Sequence, residues 1–259
     1  MATVVDRIDA PPAGGEPFFR RMALVMAIII AAGFTFQVAM GRSTFAARPL
    51  VHVHALVFFG WVALFLTQIW LVRAGDIARH RLLGRVGAVW VVAMVIMGIA
   101  ITVDVTQRGI APFFFQPQHF LVANPLGVLC FAGITAAAIV KRRESDWHRR
   151  LHLSALALLM GPAFGRLLPM PFMIPYAFEA AGIAGFVFII VGMMRDWRVL
   201  GRVHAAWAWG LAVGAVWLTV SGPIARSSFG DALYQAVTAG HPGESVPGLA
   251  YAPPPPGLM

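Results

Sequence analysis

Charge is scarce in this chain. Only 12% of its 259 residues are Asp, Glu, Lys or Arg, while 59% are hydrophobic. A soluble domain carries about 25% charged and about 45–50% apolar residues. So small a stock of charge cannot cover a water-facing surface of this size, and the bilayer is the expected solvent. Cysteine is scarcer still. Cys130 is the single one, which excludes an internal disulfide and a cysteine-rich metal centre; set in an apolar run, it reads as a small packing side chain. The N-terminus does not read as a cleaved secretory signal either. Asp6, Asp9 and Glu16 fall in the first 21 residues and the apolar run begins only at Met22, whereas a signal has a short basic start and an apolar stretch of about 7–15 residues.

What the chain has instead is long apolar runs. Seven can be marked, at about 22–40, 52–72, 86–104, 119–140, 152–170, 172–194 and 203–222. Each is close to the ~20 residues that a helix needs to cross the hydrocarbon core. They are continuous and lack the alternation of a barrel strand, so the expected fold is all-α, a polytopic bundle of seven transmembrane helices in one domain over 1–222.

The connections orient the bundle. Arg7, Arg20 and Arg21 precede the first run. Arg73, Arg79, Arg81 and Arg85 follow the second, Lys141, Arg142, Arg143, Arg149 and Arg150 the fourth, and Arg195, Arg198 and Arg202 the sixth. These are 15 of the 20 basic residues. The positive-inside rule puts that side, with the N-terminal segment 1–21, in the cytoplasm, and an odd number of crossings puts the C-terminus outside. The net charge of +9 is therefore an orientation signal, and no nucleic-acid partner is expected. Pro125 and Pro162 fall inside runs, where each removes a backbone hydrogen bond and favours a kink. Pro169, Pro171 and Pro175 predict a tight turn centred on 168–175. The Pro/Gly-rich segment 223–259 reads as a partly extended external tail with one short helix around 229–239.

The three basic connections share a pattern: His80-Arg81-Leu82-Leu83-Gly84-Arg85, then His148-Arg149-Arg150-Leu151-His152, then Trp197-Arg198-Val199-Leu200-Gly201-Arg202-Val203-His204. Duplication would produce this, and so would three independent adaptations to the headgroup layer, where basic and aromatic residues belong.

Ionisable side chains are costly in a bilayer and mark candidate sites. They fall in two layers. The external layer holds His52 and His54, His119, Asp104, Arg166 and Glu179. His52 and His54 are two residues apart, about 200° around a helix, so one site cannot use both. His54 is the deeper, with Phe58, Phe59, Gly60 and Trp61 beyond it. Arg166 and Glu179 lie on the external halves of adjacent runs and are expected to meet as an intramembrane ion pair, as a lock between helices or as the lining of a polar cavity. The cytoplasmic layer holds His80, His148, His152 and His204. His148 and His152 are four apart and share a face if the helix is continuous, a spacing that metal-binding helices use; contact with lipid headgroups is the plainer reading.

Three functional classes fit. One is a haem b protein for electron transfer, with quinone or another redox partner; His54 with His119 would ligate on the external side, and His152 with His204 or His80 on the cytoplasmic side. Another is a metal site, as in a zinc-dependent membrane hydrolase, drawing on His54, His119, Asp104 and Glu179. The third is a transporter, channel or assembly factor built on Arg166 and Glu179. Whether the protein is an enzyme is open on these grounds, and a homo-oligomer is compatible with them.

Three stretches carry a resemblance. "HRLLGRVG" at 80–87, "WHRRLHLSALALLMGPAFGR" at 147–166 and "HVHALVFFGWVALFLTQIWLVR" at 52–73 are similar to the His-Arg-x-x-Gly-Arg and flanking motifs of a bacterial family of polytopic inner-membrane proteins of unknown function. The resemblance spans about residues 50–170. It implies a multi-helix bundle in the bacterial cytoplasmic membrane, with His54, His80, His148 and Arg166 as the family-like polar positions, and it supplies no activity.

Overall fold

The structure is a computed structural model and describes residues 17–254; segment 1–16, with Arg7, and residues 255–259, with the end of the proline run, lie outside the described residues. The described chain is all-α. Its helices are α1 (Pro17–Ala39), α2 (Pro49–Arg73), α3 (Ile77–Gln107), α4 (Pro117–Val140), α5 (Ser145–Leu158), α6 (Gly161–Leu167), α7 (Ala177–Leu200), α8 (Ala205–Ala225) and α9 (Ser228–Thr238), with short 3-10 turns at Met170–Met173 and Pro242–Ser245. Six of them, α1 to α4, α7 and α8, are long and apolar enough to cross a membrane. Large side chains such as Leu56, Val89, Val92 and Trp209 are exposed on these helices, as lipid-facing positions are.

The fifth run departs from the expectation of one span. It is two helices, α5 of 14 residues and α6 of 7, and neither reaches the length of a crossing. Pro162 accounts for the break. Its ring clashes with the carbonyl four residues back and it has no N–H to offer there, and α5 ends at that residue, Leu158. Leu159 and Met160 turn their N–H groups to Leu156 and Ala157 at 3.1 and 3.2 Å, and Ala163 and Phe164 both donate to the Met160 carbonyl at 3.0 Å to start α6. Pro125 and Pro223, by contrast, are carried inside α4 and α8.

Helix α5 is the central element. It packs on α4, α7 and α8 and touches α1, and it buries Arg150, Leu151 and every residue from 153 to 158. A helix enclosed by protein can be polar at membrane depth, because its neighbours, not lipid, satisfy its side chains. The neighbours come very close. A Cβ on Gly185 of α7 would lie 2.4 Å from the Ala157 carbonyl oxygen, and one on Gly192 would lie 2.4 Å from Trp207 of α8. Only glycine permits either approach.

Two of the expected basic loops are largely helical. Asp76 caps α3 by accepting from the Arg79 N–H at 3.0 Å, so the chain turns only through Ala74–Asp76 and His80 to Arg85 belong to the helix. Helix α5 starts at Ser145, so His148 and His152 do share one helical face. Helix α7 runs to Leu200 and stops at Gly201 in the left-handed conformation, φ 68°. The turn between α6 and α7 falls over 168–176, as its prolines predict.

The tail is docked. Helix α9 matches the predicted short helix and is capped by Ser227, whose Oγ accepts from Gly230 N–H. Tyr234 Oη donates to the Val246 carbonyl at 2.9 Å, Gln118 N–H donates to the Gly248 carbonyl at 2.8 Å, Gln116 Nε2 to the Leu249 carbonyl at 2.7 Å and Tyr251 Oη to the Pro175 carbonyl at 2.9 Å. These bonds strap residues 228–251 across the ends of α3, α4 and α8 that lie away from the basic connections, called the far end below.

Candidate functional site

At the basic end three imidazoles converge. His148 and His152 stand one turn apart on α5 with ring centroids 4.5 Å apart, edge to face. His80, in the first turn of α3, faces His148 at 6.4 Å. His148 Nδ1 lies 2.7 Å from the Ala138 carbonyl oxygen. A carbonyl only accepts, so Nδ1 carries the proton and Nε2 keeps its lone pair. Gln68 Nε2 donates to the His80 carbonyl at 3.1 Å.

Several polar atoms of these rings and of the neighbouring helices are unmet. His80 Nδ1, His152 Nδ1, Gln68 Oε1, Trp61 Nε1 and Thr135 Oγ1 are buried and have no hydrogen-bond partner among the described residues. Their spacing puts them on facing seams. On α2, Trp61, Phe65 and Gln68 recur every four and three residues, and on α4 so do Phe131, Thr135 and Ala138. Trp61 meets Phe131 edge-on at 5.3 Å, and Phe65 reaches His152 at 6.4 Å. Buried polar atoms are normally paired, so such a cluster needs an explanation in bound water, an ion or a ligand. Among the described residues no group of three or more His, Cys, Asp or Glu side chains stands ready to hold a metal ion; here the His80 ring is the outlying one.

The fourth histidine of this layer is elsewhere. His204 does not join His152; it meets Trp147 edge to face at 5.2 Å and caps α8, its Nδ1 accepting from Ala206 N–H at 3.2 Å. Burial, then the charge of Arg150, holds its pKa below the ordinary 6.5.

Beside the histidines lies a network that the sequence reading missed. Arg150 and Asp196 are both fully buried and meet in a fork, Nε to Oδ2 at 2.7 Å and Nη2 to Oδ1 at 3.0 Å. Arg150 Nη1 turns back to the Asp146 carbonyl at 3.0 Å and to its carboxylate at 2.9 Å. Asp196 also accepts from Arg195 Nη1 at 2.9 Å and from Trp207 Nε1 at 3.0 Å. Trp207 stacks on Phe19 of α1, and Arg149 lies over the same Phe19 ring at 4.3 Å. The signal in the sequence was an acid among bases: each of the second and third basic connections contains an Asp-Trp pair, Asp146-Trp147 and Asp196-Trp197.

The far-end residues do not assemble as expected. Asp104 is held by Arg48, which stands just before α2. His119 shares a hydrogen bond with Ser221 of α8 at 3.0 Å and packs on Phe178 at 4.9 Å; Glu179 and Arg226 bear on it electrostatically. His54 packs on Phe58 at 4.4 Å and keeps an unpartnered Nδ1. His54 and His119 thus have different neighbours, and among the described residues His54, His119, Asp104 and Glu179 do not gather into one metal site. The Arg166–Glu179 ion pair is absent too. With the fifth helix broken, α6 leans on α1, and Arg166 lies over Phe34 of α1 at 4.1 Å. Glu179 is left with a buried, unpartnered Oε2.

No protein-family model matches this sequence, and no curated protein or solved structure is significantly similar to it.

Proposed function

We propose that the protein is a bacterial inner-membrane protein whose basic end faces the cytoplasm, with α5 and α6 together making a seventh, broken crossing, and that His80, His148 and His152 bind a transition metal. The convergence of three imidazoles from α3 and α5, with His148 already oriented through the Ala138 carbonyl, carries this reading. A histidine that ligates through one nitrogen and donates from the other to a backbone carbonyl is the usual supporting arrangement of a metal ligand. An imidazole centroid sits about 3 Å from the ion it ligates, so two tetrahedral ligands have centroids about 5 Å apart. The observed 4.5 and 6.4 Å bracket that value, and an inward shift of the His80 ring closes the set. Three ligands leave one position open. A redox-active ion there would exchange electrons with a lipid-soluble partner such as quinone, and zinc would activate a water for hydrolysis.

Haem b is the second reading. His80 and His148, from different helices and facing each other, are the residues that would hold it, and it would supply one-electron transfer. His152 would have to give way to the macrocycle.

The test is metal analysis of protein purified in mild detergent, beside its visible spectrum before and after dithionite. About one equivalent of a first-row metal, lost in His148→Ala and His152→Ala but kept in His119→Ala, is expected. Near-stoichiometric iron with a sharp reduced band selects haem. Metal-free, colourless protein from haem-replete cells would sink both and leave a transport or assembly role.

A further inference from the structure

Arg166 is a half-buried charge without a counter-charge among the described residues. It sits at the far end of α6, next to α1. Gly33 makes that contact possible, since a Cβ there would stand 2.8 Å from the Ala163 carbonyl oxygen. The guanidinium lies over the Phe34 ring. Nη1 donates to the Pro162 carbonyl at 2.8 Å, and Gln37 Nε2 fixes the segment by donating to the Arg166 carbonyl at 3.3 Å. Among the described residues no carboxylate pairs with Arg166. Asp104 is taken by Arg48, and Glu179 bears electrostatically on His119 and Tyr251.

A guanidinium has five N–H donors in a planar fork and cannot shed its proton in a protein. Inside a bilayer such a group finds an anion or a wet cavity. Stacking on Phe34 leaves its edge as the donor surface, and that edge is matched to a planar or tetrahedral oxyanion.

We propose that Arg166, backed by Phe34, forms an oxyanion-binding site at the far end of the bundle, recognising a phosphate or carboxylate group. The group belongs either to a lipid headgroup or to a small water-soluble anion. The site does not depend on the metal reading.

The experiment uses the full chain in detergent. Bound phospholipid is measured by native mass spectrometry, and binding of inorganic phosphate and of acetate by calorimetry after delipidation, in wild type, Arg166→Gln, Arg166→Lys and Phe34→Leu. Wild type should hold one phospholipid, or bind phosphate or acetate saturably. Arg166→Gln should weaken this at least tenfold, Arg166→Lys less, because it keeps the charge and loses the fork, and Phe34→Leu severalfold. Retained phospholipid with no binding of the soluble anions assigns the headgroup source; the reverse assigns a soluble ligand. Should Arg166→Gln fail to fold, the Phe34→Leu and Arg166→Lys comparisons decide. Equal phospholipid in wild type and variants, with no saturable phosphate or acetate binding, would overturn the proposal.

Discussion

Arg150 of α5 is fully buried and Arg166 of α6 half-buried, and the fold provides for them in opposite ways. Arg150 has a carboxylate fork, a second carboxylate, a backbone carbonyl and no exposure to solvent. Arg166 has one carbonyl and the face of a phenyl ring. The first arrangement joins α5 to α7 and, through Trp207, to α8 and α1; every polar group has its partner, so it reads as architecture. The second leaves most of its donors without a protein partner at a half-buried position, where a ligand can reach them. The difference warns against treating every intramembrane charge as a functional residue: what separates the two is the completeness of the partner set.

Removing one side of the satisfied pair should have the largest effect. Asp196→Ala strands a buried guanidinium and should cost about 3–5 kcal/mol, seen as loss of folded protein in a detergent melt. Arg150→Met combined with Asp196→Leu should recover most of that loss, since an apolar pair of similar volume needs no desolvation. If the double variant is as damaged as the single one, the network does more than lock helices. Next comes Gly192→Ala. The added Cβ would press on Trp207 at 2.4 Å, and overpacking against an indole fixed by Asp196 should cost about 1–3 kcal/mol by the same melt. Arg166→Gln, measured without phosphate or added lipid, should shift stability by under about 1 kcal/mol; a loss as large as that of Asp196→Ala would make Arg166 architecture as well.

The smallest effect is one of pH. The folded state disfavours protonation of His204, because burial and Arg150 lower its pKa. The stability that it contributes is therefore full above about pH 6.5 and declines as pH falls below that value. A proton on Nδ1 also removes the cap at Ala206 N–H, worth about 0.5–2 kcal/mol at such positions. Amide exchange at Ala206 should accelerate at about pH 5 relative to about pH 7.5, after correction for intrinsic rates, and His204→Asn, which caps without titrating, should flatten the dependence.

The helices that cross were legible because a bilayer demands length and apolarity, and runs such as 119–140 supply both. The division of the fifth run was half legible. Pro162 announced a disturbance, but whether a proline bends or breaks a helix depends on what surrounds it, and Pro125 inside α4 shows the other outcome. The convergence of His148 and His152 followed from a spacing of four once the helix was known to start at Ser145. The addition of His80 did not, because it arrives from another helix whose start was placed nine residues too late. The Arg166–Glu179 expectation failed for a geometric reason: adjacency in sequence across a tight turn says that two helices are neighbours, not which faces they present. Arg150 and Asp196 were hidden because basic connections were read as headgroup-level loops, where ion pairs carry little.

Helix α5 carries Asp146, His148, Arg149, Arg150 and His152 within its 14 residues. At the centre of a helix, an arginine or aspartate costs about 2.5–3.5 kcal/mol to pass from the translocon into lipid, and α5 has too few apolar residues to repay several of them alone. Its partners for burial are made later: Asp196 lies 46 residues downstream of Arg150, and Trp207 follows by 11 more. As half of the proposed broken crossing, this segment would wait at the membrane surface, or in the shelter of the insertion machinery, until α7 and α8 emerge. The order in which the ribosome delivers the chain is not the order in which the bilayer can accept it.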